Sequence, residues 1–149
     1  MIEFQTEPYA VMKTEIRPLL LRHWEEIALD KDSIPLDPDW DEYDRLAALG
    51  QLHILTARQD GDLIGYFVGI VRPHLHYRTS LTAFNDVLYI APQHRRGRTA
   101  LRFFTAIADG LRERGVQKLY INTKMHMDFG PLLEFLRYRK TETIYTLLL

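Results

Sequence analysis

Four arginines follow a proline-terminated apolar run in the middle of the chain, and they are the residues best suited to bind a charged ligand. The run is Val87–Ala91, Pro92 ends it, and a basic turn over residues 93–100 opens an amphipathic segment. Backbone N–H groups at a helix N-terminus have no intrahelical partner, and the helix dipole adds positive charge there. Guanidinium groups add paired donors that match phosphate oxygens. The pattern predicts a site for a phosphorylated ligand.

Imidazole and carboxylate groups form a second set of candidates. His74 and His76 alternate along an extended segment, so both are expected on one face, and Asp128 follows His126 by two residues. A neutral imidazole with a pKa near ~6.5 suits a base or proton shuttle. The alternative is structural, with His74 and His76 pinning their loop through backbone hydrogen bonds. No metal is expected, because alternate histidines on a loop do not specify a metal site.

Composition restricts the classes of protein to which the chain can belong. Its 149 residues fit one domain, 1–149, and the absence of cysteine excludes disulfides, thiolate metal sites and a cysteine nucleophile. No secretory signal or bilayer-spanning run is visible, so a cytoplasmic domain without membrane contact is expected. The net charge is -1. Nucleic acid is therefore an unlikely ligand, since the arginines form only a local patch with no interleaved aromatic residues.

Hydrophobic periodicity and turn signals predict an α/β fold. Leu20, Trp24, Ile27 and Ala28 fall on one face of a first helix, and Gln59–Asp62 has the composition of a hairpin turn. A central mixed sheet with helices on both faces is the expected packing. The unit from 81 to 123 is long enough for a right-handed parallel crossover. The predicted strands are 2–7, 52–57, 63–71, 81–91, 116–123 and 141–148; the predicted helices begin near 16, 40, 99 and 130; and 72–79 is a predicted connection.

The chain resembles the GNAT superfamily of acyl-CoA-dependent N-acetyltransferases in this order of elements and in the central motif. That motif is an apolar strand, a proline and the pattern Arg/Gln-x-x-Gly-x-Gly/Ala, here Arg95–Ala100. In its detailed amino-acid sequence the chain resembles still more closely the small GNAT proteins common in tailed-phage and prophage genomes. The stretches that carry this closer resemblance are 23–26, 72–78, 85–89 and 128–134.

Three positions depart from the family pattern. Arg98 stands where the fourth-position glycine is usual, and the glycine lies one residue earlier at Gly97. The Gly-Phe pair that usually precedes the last strand is replaced by Arg137-Tyr138. Leu133 aligns with the tyrosine that many members use to protonate the departing thiolate. The resemblance therefore implies that another group, or water, supplies that proton.

The resemblance implies a role for each candidate residue. Acetyl-CoA would be the co-substrate, and a small-molecule or protein amine the acceptor. Asp86 is the first candidate for the general base and His126 the second, although Asp86 could instead order its strand or hold a cationic substrate. The pantetheine arm would pair with Leu88, Tyr89 and Ile90. The pyrophosphate would be bound by Arg95, Arg96, Gly97, Arg98, Thr99 and Ala100, and the acceptor by Glu25, His74, His76 and Asp128.

The sequence is also compatible with two functions other than acetyl transfer. A member that has lost catalysis would bind CoA or a partner protein, and a nucleic-acid-associated factor would bind polyanions with a steep salt dependence. Dimers are frequent in the family, and the apolar C-terminal residues 145–149 offer a segment for pairing across a sheet edge. A homodimer is therefore one expectation.

Overall fold

The computed structural model describes residues 1–149 as one five-stranded sheet with five helices. A single 3-10 turn, Pro92–His94, links the fourth strand to the basic turn. The elements in chain order are β1 (Ile2–Thr6), α1 (Tyr9–Met12), α2 (Ile16–Ile27), α3 (Trp40–Ala48), β2 (Leu52–Gln59), β3 (Asp62–His74), β4 (Tyr77–Ile90), α4 (Thr99–Glu113), β5 (Lys118–Tyr120) and α5 (Gly130–Phe135).

The sheet is mixed, as the sequence predicts. Its strand order is β1-β2-β3-β4-β5, with antiparallel pairing from β1 to β4 and a parallel pairing of β4 with β5. Helix α4 makes the crossover between the two parallel strands, since it lies between them in the chain. This connection brings the end of β4, the basic turn and the start of α4 into one continuous segment.

Two hydrophobic clusters cover the two faces of the sheet. Cluster one packs α4 and α5 against the sheet through Phe103, Ile107 and Leu133. Cluster two packs α1, α2 and α3 against the other face around Met12, Tyr66 and Tyr89. Helices on both faces confirm the predicted layer arrangement, because each face of a central sheet must be covered to bury its apolar side chains.

The predicted connection at 72–79 is wrong, because β3 and β4 run through most of it. β3 continues to His74 and β4 begins at Tyr77, so that only Leu75 and His76 remain in the turn. The ladder pairs His74 with Tyr77 and shifts its register beside Pro73. Pro73 lacks an N–H and marks this irregular point of the strand, which continues to His74.

The predicted final strand at 141–148 is wrong as well. These residues have no regular structure and all are exposed, including Tyr145 at 89% and Leu147 at 81%. The composition favours a strand, but a strand requires a hydrogen-bonded neighbour, and this segment pairs with none. A homodimer through this segment stays a prediction.

Helix α2 buries a different set of residues from the predicted one. Its buried positions are Ile16 and His23, one heptad apart, and Leu20 lies between them against cluster two. Trp24 is only half-buried, with the Lys31 ammonium 5.4 Å above its ring. A histidine therefore occupies the core face of this helix.

None of the helices combines the length and the apolar character that a membrane-spanning segment requires.

Candidate active site

β4 and β5 separate after three residue pairs, and this separation creates an open edge. Their parallel pairing covers Thr82–Phe84 of β4 and ends there. One residue later the β3–β4 ladder shifts register: Gly69 pairs with Asn85 and Val68 with Val87, so that Asp86 is the extra residue of a bulge. A bulge bends its strand and changes the direction of the side chains that follow. The second half of β4 therefore has no neighbour on its β5 side.

The backbone groups that face this open edge belong to Leu88 and Ile90. Ala91 donates its N–H to the Ile64 carbonyl of β3. In an antiparallel ladder, alternate residues point their N–H and C=O toward the same neighbour. Tyr89 therefore bonds toward β3, whereas Leu88 and Ile90 point away from it. The open edge therefore presents backbone groups that an additional extended chain could bond.

The basic turn presents a group of unpaired backbone donors at the start of α4. Arg95 and Thr99 donate their backbone N–H groups to the carbonyls of Pro92 and Arg96. Gly97 has φ of +60°, a left-handed conformation that a residue with a side chain adopts only with strain. The backbone N–H groups that have no hydrogen-bond partner in the chain are those of Arg96, Gly97, Arg98, Ala100 and Leu101. These donors converge on the positive end of the α4 dipole.

The four arginines of this region divide into two held and two free guanidinium groups. Arg95 pairs with Glu26 of α2, and Arg102 donates to the Ile2 carbonyl and lies 5.0 Å from the Phe4 ring centroid. The side chains of Arg96 and Arg98 are exposed and make no hydrogen bond or ion pair. These two remain available to an anionic ligand, together with the unpaired N–H groups.

Asp86 receives a hydrogen bond from the hydroxyl of Tyr43 on α3. Neighbouring protein atoms remove part of its hydration, and this desolvation raises the pKa of the carboxyl above its usual value, while the Tyr43 hydrogen bond opposes the rise. Desolvation and the nearby Asp86 charge in turn raise the pKa of Tyr43. Tyr43 is therefore a neutral donor, and it bonds a carboxylate that is partly desolvated by α3 and still reached by solvent.

The bulge places Asp86 and Ile90 toward opposite faces of the sheet. Asp86 and Ile90 are four residues apart, a spacing that in a regular strand gives the same face. In the structure Asp86 contacts α3 on the side of cluster two, whereas Ile90 belongs to cluster one. The extra residue accounts for this difference, because each half of the strand alternates regularly.

The predicted acceptor residues have local partners of their own. His74 lies at the β3–β4 hairpin with its ring 5.3 Å from that of His76, and its Nδ1 accepts the His76 backbone N–H. Asp128 accepts the Gly130 N–H at the start of α5. His126 and Glu25 are exposed, and no side-chain hydrogen bond holds either one. The structure thus gives His74 and Asp128 backbone contacts that order their loops.

Four functional candidates of this region were missed by the sequence reasoning. They are Tyr43, Glu26, His23 and Leu101, of which the first two contact Asp86 and Arg95 directly. His23 is buried, its ring stacks 4.9 Å from that of Tyr89, and burial lowers its pKa to about 4. No local spacing signals these pairings, because Tyr43 and Glu26 lie 43 and 69 residues from their partners.

Two other features limit what this region can do. No group of three or more histidine, cysteine, aspartate and glutamate side chains is arranged to hold a metal ion. Leu133, at the position where a tyrosine would supply a proton, is buried in cluster one. An open cavity of about 480 Å³ lies away from the basic turn, between α1, α3 and β2.

Comparison with known families now identifies the class of protein. The sequence profile of the acetyltransferase (GNAT) family matches residues 14–129, which include the open edge and the basic turn. The chain belongs to the GNAT family of acetyltransferases. Its membership makes it an enzyme of the acyltransferase class. No curated protein sequence matches the chain significantly, and the resemblance to the phage group stays a prediction.

Solved structures of GNAT proteins match the whole chain. Ribosomal-protein-alanine N-acetyltransferase from Brucella melitensis has a TM-score of 0.71 and 22% identity, covering 100% of this chain and 99% of that chain. An aminoglycoside acetyltransferase from an uncultured soil sample has a TM-score of 0.72 and 16% identity, with 99% and 97% covered. A predicted acetyltransferase from Clostridium acetobutylicum with acetyl-CoA has a TM-score of 0.67 and 14% identity, with 99% and 96% covered. These similarities confirm the GNAT fold.

Proposed function

We propose that this GNAT protein transfers the acetyl group of acetyl-CoA to a primary amine by direct attack of the amine. One observation carries the proposal: the open edge at Leu88 and Ile90 leads directly into unpaired N–H groups at the start of α4. An extended amide chain that ends in a diphosphate has the shape and charge to occupy both places at once. Acetyl-CoA is such a molecule.

The residues of the site fit acetyl-CoA. The pantetheine amides would pair with Leu88 and Ile90 as a short additional strand, with Tyr89 holding the strand to β3. The diphosphate would bind the turn of Arg95–Ala100 through the unpaired N–H groups and that of Leu101, with Arg96 and Arg98 as free cationic side chains. Gly97 and Thr99 shape this turn, the first by its φ and the second by its bonds to the Arg96 carbonyl.

Acetyl-CoA supplies an acetyl group that is already activated as a thioester. A free backbone N–H of the open edge would stabilise negative charge on the thioester oxygen. Alignment of the amine with the carbonyl contributes much of the rate in such a reaction. Asp86 would remove the proton of the amine, directly or through water, with His126 as the second candidate. Leu133 cannot donate a proton, so water would protonate the leaving thiolate.

The acceptor would approach from the side of α2 and α3, where Asp86 meets Tyr43. Glu25, His74, His76 and Asp128 are the proposed contacts around it, and a carboxylate among them suits an ammonium group. Similar structures carry names that specify a ribosomal protein and an aminoglycoside as acceptors. Both a protein amine and a small-molecule amine therefore remain acceptors to be tested.

Calorimetric titration with acetyl-CoA tests the proposal. The Arg96→Ala/Arg98→Ala double variant should bind at least about tenfold more weakly than the wild type, because it lacks both free guanidinium groups. Arg112→Ala is the matched control, since Arg112 lies near the other end of α4 in an exposed pair with Asp109. If the wild type does not bind acetyl-CoA, or if the control weakens binding as much as the double variant, the proposed site is wrong.

A second candidate is a CoA-binding GNAT module without catalysis. The buried Leu133 favours it, because this position offers no hydroxyl. Asp86→Ala and His126→Ala separate the two functions. Loss of acetyl transfer with unchanged acetyl-CoA affinity in either variant supports the enzyme. A wild type that binds acetyl-CoA but acetylates no amine in a broad screen, and that is indifferent to both substitutions, supports the module.

A further inference from the structure

The guanidinium group of Arg95 is fixed on three sides. Its Nη1 and Nη2 donate to the two carboxylate oxygens of Glu26 at 2.5 and 2.8 Å, and its Nε donates to the Ile90 carbonyl at 2.6 Å. The group also lies 5.3 Å from the Tyr89 ring centroid. A bidentate pair with a further hydrogen bond has a defined geometry, unlike a mobile surface ion pair. Arg95 is therefore part of the framework of the site.

The hydrogen bond from Arg95 to Ile90 determines which backbone groups are free at the last residue of the open edge. The Ile90 carbonyl points to the open edge, and the Arg95 Nε already satisfies it. The Ile90 N–H points to the same edge, where no residue of β5 lies beside it, and is free to donate. The edge therefore ends in a donor and a capped acceptor.

Glu26 connects this edge to α2. It is in the last turn of α2, where its side chain is only 20% exposed, and 69 residues separate it from Arg95. One turn earlier on the same helix, His23 stacks on Tyr89 and bonds the Tyr66 hydroxyl at 3.0 Å. The end of α2 is thus attached to β4 at two points, one through the ring of His23 and one through Arg95.

We infer that Glu26 is a positioning residue for acetyl-CoA, an inference that rests on the proposed function. Glu26 holds Arg95, a residue of the basic turn, and Arg95 holds the Ile90 carbonyl. Glu26 touches neither the diphosphate nor the acceptor in this role. Its carboxylate also neutralises Arg95, which leaves Arg96 and Arg98 as the cationic ligands. A glutamate on the acceptor side thereby sets the affinity for the co-substrate.

The test compares Glu26→Gln and Glu26→Ala with the control Glu113→Gln. Both Glu26 variants should weaken acetyl-CoA binding by calorimetry, Glu26→Ala by about tenfold and Glu26→Gln by less, because glutamine retains one acceptor oxygen. In steady-state assays the KM for acetyl-CoA should rise while the KM for the acceptor stays constant. Glu113→Gln should leave the affinity for acetyl-CoA unchanged, since Glu113 is exposed at the end of α4 far from the basic turn.

A double-variant cycle and a ligand-free signal complete the test. Arg95→Met with Glu26→Ala should bind acetyl-CoA no more weakly than Arg95→Met alone, because the carboxylate acts through Arg95. In NMR spectra the Nε–H of Arg95 should exchange slowly in the wild type and rapidly in Glu26→Gln. This signal reports the contact without ligand, even if one variant is too unstable for titration.

Three outcomes would overturn the inference. Tighter binding of acetyl-CoA by Glu26→Gln would mean that the carboxylate repels the diphosphate. A raised acceptor KM with unchanged acetyl-CoA affinity would make Glu26 an acceptor ligand. Unchanged constants would make the ion pair irrelevant to the site. In all three cases acetyl-CoA still binds the wild type, which distinguishes them from failure of the proposed function, where it does not.

Discussion

The hydrogen bond from Tyr43 lowers the basicity of the Asp86 carboxylate, so a substitution at Tyr43 should change it. Desolvation raises the pKa of Asp86 and the phenol hydroxyl opposes that rise, so the observed environment is a balance of two opposing effects. The donor can be removed without disturbing the packing, since the Tyr43 ring stacks on Tyr9 at 6.0 Å and lies 5.9 Å from Trp40. Phenylalanine would retain both contacts.

Tyr43→Phe should therefore shift the pH dependence of the enzyme. Loss of the hydrogen bond raises the pKa of Asp86 further, and a general base acts only when it is deprotonated. We expect the acid limb of the kcat/KM profile to move to higher pH. Tyr9→Phe is the control, because the Tyr9 hydroxyl has no hydrogen-bond partner. An unshifted acid limb in Tyr43→Phe would exclude Asp86 as the titrating base.

At the scale of elements, a glycine in α4 makes room for a buried histidine. A Cβ on Gly110 would lie 2.9 Å from Cε1 of His53 and 3.2 Å from Oγ1 of Thr6. His53 is 1% exposed, and neither ring nitrogen has a hydrogen-bond partner. Glycine within a helix costs about 1 kcal/mol relative to alanine. The structure retains this cost because the ring occupies the space of the missing methyl group.

Gly110→Ala should thus have opposite effects in two backgrounds. In the wild type we expect a loss of about 1 to 2 kcal/mol in the free energy of unfolding, because the added methyl group overpacks the site. In a His53→Ala background the same substitution should raise stability by up to about 1 kcal/mol. Urea unfolding of the four proteins measures the cycle. Stabilisation by Gly110→Ala in both backgrounds would contradict this account.

The elements that could be predicted are those with local signals. Hairpin residues at 59–62, the glycine after α4 and the periodicity of α4 located β2, β3 and α4 closely. The strand predicted at 141–148 failed because its composition carries no information about a partner. The connection at 72–79 failed because Pro73 interrupts the pattern without ending the strand. Local sequence thus specified elements wherever the decisive contacts were also local.

The residues of the site likewise divide into those that local sequence predicts and those that only the tertiary fold brings together. The basic turn and the strand before it could be predicted, because their residues are consecutive and their chemistry depends on backbone position. The pairings of Tyr43 with Asp86 and of Glu26 with Arg95 could not, because each joins α2 or α3 to β4 or its turn across at least 43 residues. Only the packing of helices over the sheet brings these side chains together.

For the whole molecule, three buried ionisable groups control stability in acid. Burial lowers the pKa of His23 and of His53 to about 4, and Arg58 lowers the pKa of Glu7 to about 2. The unfolded chain therefore binds more protons than the folded one, through the histidines between pH 6.5 and 4 and through Glu7 between pH 4.5 and 2. Stability should fall continuously as the pH falls from 6.5, since protons favour the unfolded state.

His53→Leu tests this linkage. The variant should lose less stability than the wild type between pH 7 and pH 4, by at most about 3 kcal/mol, because one of the two titrating histidines is removed. Glu7→Gln should instead destabilise the protein at pH 7 and leave the slope between pH 6.5 and 4.5 unchanged. Thermal unfolding across this pH range measures both. Parallel curves for His53→Leu and wild type would show that His53 is not buried in neutral form.

The bulge in β4 has a consequence for how the sequence can vary. Asp86 is at once a carboxylate and the additional residue that changes which backbone groups reach the open edge. A substitution such as Asp86→Asn removes the charge and keeps the spacing, whereas deletion of residue 86 removes the spacing as well. The residue at position 86 thus determines both the number of residues in the strand and the charge at the bulge. An insertion or deletion between Asn85 and Val87 should therefore harm acetyl-CoA binding more than any substitution at Asp86.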